Sequence, residues 1–301
     1  MQFRQISKAT RLLLFYRAIS FLPISIGYRI APILYPMDRN FKNKYMGQWK
    51  KGLKICIEEA NLPCIPDIEA CASEHLRMLS YEALDSYLVP RIKPVYMKRL
   101  CKVYGTSHIK ATLKKGNGLI IVTSHFCRVN MIPYSLGHMG IKNGFLSQSV
   151  DKDNPYLDWV DRYYLKNKLK KIYRVTKGPG ITLKDNPRLI YKALEKNAVM
   201  SIPMDAFFDT IKKFYHVPFL GGTIRMARGI ARISAKTKAP MVYAVVKPEK
   251  KWQVRVEISP IEQIGEEGFF ISVKEFEKDV MTMPCQWWQW PYMESMWQGK
   301  S

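Results

Sequence analysis

The chain has 301 residues, 48 Lys+Arg against 25 Asp+Glu and a formal net charge of +23, with 47% hydrophobic and 12% aromatic residues. That much apolar mass excludes intrinsic disorder, a collagen-like repeat and a small disulfide-stapled scaffold, and the length suits one large domain or two small ones. The positive excess points to an anionic partner, whether nucleic acid, phospholipid surface, lipid phosphate or acidic carrier protein. Zinc-finger spacing, an RNP motif and a GxxG clamp in a suitable context are all missing, so nucleic acid is not the expected partner. Six cysteines without a CxxC pair indicate neither a zinc ribbon nor a redox motif, and reduced thiols facing a cytoplasm are the expected state.

Residues 11–37 are apolar and aromatic but are interrupted by Arg11, Arg17 and Arg29 and broken by Pro23, Pro32 and Pro36. The longest charge-free stretch, Ala18 to Tyr28, has 11 residues, short of the ~20 that a spanning helix needs. Residues 1–45 therefore read as helices lying in a membrane interface, with aromatics buried and the arginines reaching up to headgroups. From Asn40 to about Lys102 apolar residues fall three and four apart, a helical pattern punctuated by Pro63, Pro66, Pro90 and Pro94. Then the period changes. Gly118–Ser124 follows a Gly-Asn-Gly turn as a short buried strand, and a second strand is expected near Gly144–Val150. A helix should start at Asp153-Asn154-Pro155, with Tyr156, Leu157, Val160, Tyr164 and Leu165 along it.

Lys171–Val175 reads as another strand, Asn186–Lys196 as a capped helix, Ala198–Met204 as a third core strand and Ile224–Lys236 as a basic amphipathic helix. Pro240–Val246 and Trp252–Ile258 form two further strands around a charged turn. Strands alternating with helices predict an α/β fold, a central mixed sheet covered by helices. No repeat or Gly/Ser linker divides it, so residues 46–301 read as one domain, with a helical lead-in over 46–115 and an α/β part over 116–301.

The segment Gly116–Asn130 brings His125 to the carboxyl edge of the sheet, where α/β proteins hold ligands, and Asn130 stands five residues later. This resembles the H-x-x-x-x-[DE] motif of the glycerolipid and lipid A acyltransferase superfamily, and in particular its bacterial late lipid A acyltransferase branch. The resemblance covers roughly residues 10–295. Asn61-Leu62 with Cys64 is similar to the branch's helical lead-in, and Asn154-Pro155 with Asp158 and Arg162 to its "NP…D…R" segment. Val217-Pro218-Phe219-Leu220-Gly221 with Gly229-Ile230-Ala231-Arg232 is similar to "VPFFG…GPAR", and Ala239–Val242 to "APVV". Cys285–Trp290 is similar to the C-terminal "EQWLW". Two positions depart: Asn130 stands where the branch has an acid, and its "PDQD" reads Pro203-Met204-Asp205-Ala206.

The resemblance implies an acyltransferase, bound to the cytoplasmic face of the inner membrane, that moves an acyl group from a thioester onto a hydroxyl or amine of a lipid A-like acceptor. The thioester, on acyl carrier protein or acyl-CoA, is a co-substrate, and no metal or redox cofactor is implied. His125 would be the general base, and Asn130 would orient it through its amide oxygen, so Asn130→Asp should keep or raise activity. Arg162 would stabilise the oxyanion or hold phosphate, and Arg232, Asp205 and Arg228 would contact substrate. Arg225 and Arg228, three apart on the expected helix, also suit a stripe facing an anionic membrane. Because Asn130 stabilises an imidazolium less than a carboxylate does, three alternatives stay open: glycyl or aminoacyl transfer to lipid A, N-acyl transfer to a small amine or peptide in a secondary-metabolite pathway, and a lipid or carrier binder without turnover. Cys127 stands where the family has a small non-nucleophilic residue and is not expected to be a nucleophile, and Cys64, Cys71 and His75 fit a helix face better than a metal site.

Overall fold

Leu119, Ile120, Ile121 and Val122 have no exposed surface, because theirs is the middle strand of a sheet covered on both faces. The computed structural model describes residues 3–35, 39–60, 67–155, 157–206 and 213–299. Pro36, Met37, Asn61, Leu62, Pro63, Cys64, Pro66 and Tyr156 lie outside the described residues. The strands are β1 (Cys101–Tyr104), β2 (Leu119–Thr123), β3 (Asn143–Ser147), β4 (Lys177–Thr182), β5 (Val199–Pro203), β6 (Phe214–Phe219), β7 (Gly222–Ala227), β8 (Met241–Pro248), β9 (Val254–Ile261) and β10 (Trp297–Gln298). The helices are α1 (Phe3–Ala9), α2 (Tyr16–Ile19), α3 (Ile24–Leu34), α4 (Arg39–Ala60), α5 (Ile68–Leu88), α6 (Pro94–Leu100), α7 (Thr106–Leu113), α8 (Met131–His138), α9 (Trp159–Thr176), α10 (Arg188–Glu195), α11 (Gly229–Thr237), α12 (Gly265–Thr282) and α13 (Met293–Met296).

Seven strands form one mixed sheet in the order β1-β9-β8-β2-β5-β3-β4, parallel throughout except for the β8–β9 hairpin. A second antiparallel sheet has the order β10-β7-β6. The expected α/β class and the five expected strands β2, β3, β5, β8 and β9 are present. Three expectations are corrected. Lys171–Val175 is the last part of α9, because Leu165, Leu169, Ile172 and Thr176 follow helical spacing and Ile172 and Thr176 are buried along one face. That helix starts later than expected, at Trp159, where Asp158 and Asp161 make a reciprocal capping box. Residues 222–227 are strand, not helix, since Ile224 and Met226 alternate inward with period two against β6.

The N-terminal helices use one face to join the core and leave the other bare. Tyr16, Tyr28 and Ala31 are fully buried, whereas Leu14, Phe21 and Ile33 are 61%, 71% and 69% exposed. Arg11, expected to reach headgroups, is instead buried with its guanidinium 4.7 Å above the Tyr35 ring. No helix among the described residues is long and apolar enough to cross a membrane.

A buried ionic cluster ties these helices to the sheet. Arg128 donates from Nε and Nη2 to the two carboxylate oxygens of Asp85 at 2.6 Å each, from Nη2 to the Tyr28 hydroxyl at 2.8 Å, and from Nη1 to the Trp252 carbonyl at 2.5 Å. The bidentate fork and the extra acceptors compensate for taking both charges out of water. Cys71 and Cys285, expected to be reduced, are joined in a disulfide that links α5 to the C-terminal segment across 214 residues. Removing Asp85 strands the Arg128 charge, so Asp85→Ala should lower unfolding stability by about 3–5 kcal/mol in a urea titration.

Candidate active site

Chain pairing delivers a histidine and a carboxylate to one point. Thr123 of β2 lies beside Pro203 of β5, and the pairing runs one step further where the Met204 amide donates to the Thr123 carbonyl at 2.8 Å. His125 and Asp205 therefore leave the sheet side by side at its carboxyl edge. Asp205 has no exposed surface. It accepts from the His125 backbone amide at 2.9 Å, sits 2.9 Å from His125 Nδ1, and accepts from the Trp287 indole at 2.9 Å. A carboxylate can only accept, so the ring proton resides on Nδ1 and Nε2 is left as the basic nitrogen. Burial pulls the His125 pKa down, but the charge and hydrogen bond of Asp205 outweigh it and the net shift is upward.

The C-terminal segment closes over this pair. Cys127 donates its amide to the Gln286 carbonyl at 2.8 Å, and Trp288 donates its amide to the His125 carbonyl at 3.0 Å and its indole to the Cys127 carbonyl at 2.9 Å. Gln289 Nε2 stands 3.1 Å from His125 Nδ1. The strap is seated by Trp49 of α4, whose indole donates to the Trp287 carbonyl at 3.2 Å. Gly52, a turn further along α4, permits this approach, since a Cβ there would lie 1.8 Å from the Trp290 carbonyl oxygen.

His125 opens into a cavity of about 420 Å³ between the sheet, α8 and α9. Ile132, Pro133, Phe145, Leu146, Leu165, Leu169, Ile172 and Leu183 are among its apolar lining residues, with Asn130, Lys168, Ser201 and Gln289 among the polar ones. That volume and mixture are those of a ligand site, apolar with a few polar groups that fix orientation.

Asn130 reaches this cavity, but its partner differs from the expected one. Its amide nitrogen donates to Glu82 at 2.5 Å, and Lys168 Nζ donates to the same Glu82 oxygen at 2.7 Å. The orienting contact expected of Asn130 is made by Asp205, which sequence analysis had assigned to substrate. Burial disfavours the charge on Lys168, but Glu82 more than compensates and the net pKa shift is upward. Arg162 turns back to donate to the Leu157 carbonyl at 2.5 Å and does not line the cavity. Arg228 and Arg232 lie at the start of α11, outside the cavity wall, with Arg228 lining a separate crevice.

The other flagged residues have ordinary surroundings. Burial pushes the Cys127 thiol up to about 12, which leaves it protonated and a poor nucleophile. His75 bonds the Cys285 carbonyl and the Tyr45 hydroxyl at 2.9 Å each, and burial lowers its pKa to about 3.

Residues 12–290 match the family model described as bacterial lipid A biosynthesis acyltransferase. The chain belongs to that family. This agrees with the expected late lipid A acyltransferase branch, and the family's reaction is acyl transfer to a lipid A-like acceptor at a membrane. A comparison with curated proteins returned no match. Sequence analysis singles out His125 and Asp205, which the structure brings together, but not Glu82, Lys168 or the contacts of Trp287 and Gln289. In this acyltransferase the aromatic run Trp287-Trp288-Gln289-Trp290 was the available signal, and only its position in space assigns it to the site.

The geometry makes three predictions. Asp205→Asn should reduce turnover by about 10²–10⁴-fold. A base must be deprotonated, so the wild-type rate should rise with pH through a pKa above the ordinary 6.5, and the residual activity of Asp205→Asn should have its acid limb at lower pH. Asn130→Asp, expected from sequence to preserve activity, would instead set a second carboxylate against Glu82 in place of a donor. Thermal denaturation should show a loss of about 1–3 kcal/mol.

Proposed function

We propose that this acyltransferase moves a fatty acyl group from a thioester donor to a hydroxyl or amine of a lipid A-like acceptor, with His125 Nε2 as general base. The observation that carries the reading is the His125–Asp205 contact at the mouth of an apolar cavity. Nε2 takes the acceptor proton as the nucleophile attacks the thioester carbonyl, and the imidazolium that forms is stabilised by Asp205. The tetrahedral intermediate then collapses, the thiolate leaves, and the proton returns to it from Nε2. No step is assigned to Asn130. With Asp205 in place the ring has a full carboxylate partner, so the weaker stabilisation that favoured an aminoacyl donor no longer applies.

The cavity wall supports a hydrocarbon chain as the transferred group. An aminoacyl group would leave most of the surface formed by Ile132, Phe145, Leu165, Leu169 and Ile172 uncovered, whereas a fatty chain buries it. The basic surface suits an acidic carrier protein as donor, with acyl-CoA the alternative. Peripheral membrane seating is supported by the bare face of the N-terminal segment, where Leu14, Phe15, Phe21, Leu22, Ile26 and Ile33 are exposed, next to the exposed Trp159 and Tyr163 of α9. Trp159 is joined to that segment through its indole, which donates to Gln5 at 3.1 Å.

Mass spectrometry of lipid extracts from cells expressing wild-type or His125→Ala protein tests the proposal. A fatty-acyl mass gain in a lipid A-type species should occur with wild type alone. A gain the size of one amino acid would reassign the transferred group, and no gain in any lipid would leave a binding protein.

A further inference from the structure

One charge in the cavity wall has no part in the proton transfers at His125. It is the ammonium of Lys168, on the same face of α9 as Leu165, Leu169 and Ile172, which also line the cavity. Its side chain is 11% exposed. Among the described residues Lys168 is the one Lys or Arg in that wall, and its Nζ makes one hydrogen bond, to Glu82 at 2.7 Å. An ammonium has three protons to donate, so two are left over.

The pair is a poor structural device. Glu82 is itself buried, and its Oε2 has no hydrogen-bond partner among the described residues. Two ions taken out of water stabilise a fold only when their remaining lone pairs and protons are also satisfied, as both carboxylate oxygens of Asp85 are by Arg128. What Glu82 does achieve is to keep Lys168 charged, since burial disfavours the ammonium and Glu82 reverses that. The charge is also felt at the base. Burial and Asp205 dominate the His125 pKa, and after them come Lys168, which lowers it, and Glu82, which raises it. The ammonium therefore acts at the end of the cavity where His125 stands.

We infer that Lys168 stabilises the negative charge on the acyl carbonyl oxygen during transfer, a catalytic role in which Glu82, with Asn130 donating to the same oxygen, holds it in place. This rests on the proposed acyl-transfer reading. As the acceptor oxygen or nitrogen bonds to the carbonyl carbon, the C=O pair moves onto oxygen. When that pair returns, the C–S bond breaks and the thiolate leaves with the proton from His125 Nε2. A cation with spare protons in a largely apolar wall favours the oxyanion over the neutral carbonyl. Arg162, expected from sequence in this role, is turned to the Leu157 carbonyl instead.

The test is the double variant Glu82→Gln/Lys168→Met, which removes both charges together and leaves an amide oxygen to accept from Asn130. Lys168→Met alone would strand Glu82. The double variant should unfold as cooperatively as wild type in a thermal melt. With lauroyl-CoA and monophosphoryl lipid A its kcat should fall about 10²–10³-fold, with KM within about threefold. The acid limb of its pH profile should move little, because two opposing effects on His125 leave together.

A titration that needs no turnover separates the two readings. In a His125→Ala background, protein with Lys168 should bind decanoate about tenfold more tightly than its neutral amide, decanamide. The Glu82→Gln/Lys168→Met protein should show no such preference. Absence of turnover in wild type counts against acyl transfer and leaves the titration to decide the role of Lys168. A double variant within about threefold of the wild-type kcat overturns the assignment while acyl transfer stands. So does a decanoate preference that is absent with Lys168 or persists without it. A double variant that fails to fold marks the pair as structural and overturns the assignment too.

Discussion

A carboxylate with no exposed surface organises this molecule. Asp205 is tolerable in the interior only because donors surround it, and those donors come from distant parts of the chain. The amide and ring of His125 arrive through β2, the carboxylate itself through β5, and the indole of Trp287 through the segment after α12. Each of the three has its own support: the sheet fixes the first two side by side, and Trp49 with the disulfide fixes the third. Electrostatics at the site then follow from position. The same charge that is satisfied by these donors sets the tautomer of His125 and raises its basicity.

Much of the sheet was legible because its buried strands are short continuous apolar runs bounded by turns, as in Gly118–Ser124 and Ala198–Met204. His125 was legible for the same reason, standing where a strand must end. Where the reading failed, two periods competed in a window too short to separate them. Lys171–Val175 is rich in strand-forming residues, yet its Ile172 belongs to a helical stripe with Leu165 and Leu169 that only the longer segment displays. The segment Ile224–Lys236 reads as one basic helix bearing Arg225 and Arg228, but Ile224 and Met226 face inward on a strand. The 80-residue separation between His125 and Asp205 and the 214-residue separation between Cys71 and Cys285 have no local signature at all. The substituted fifth position drew attention to Asn130, while the carboxylate facing it, Glu82, comes from a helix whose pattern gave no hint of a polar role.

The Arg128 cluster joins two parts of the protein that sequence analysis treated separately. Arg128 is three residues past His125, and its guanidinium is held by Asp85 on α5 and by Tyr28 on α3. Tyr28 in turn stacks on Trp252, with ring centres 5.5 Å apart. The helices that bear the exposed apolar face are thus tied to the loop that carries His125. A protein seated on a bilayer by those helices would have the orientation of that loop fixed by the same contacts.

The strap has a bearing on biosynthesis. Chains are made from the N-terminus at roughly 5–20 residues per second, so about 8–30 s separate the synthesis of His125 from that of Trp287. Throughout that interval residues 125–127 lack the segment that pairs with them, and Asp205, once made, lacks its indole donor. A nascent chain therefore lacks the assembled contacts of His125, Asp205 and Trp287. Translation itself delays their assembly until Trp287 has been made.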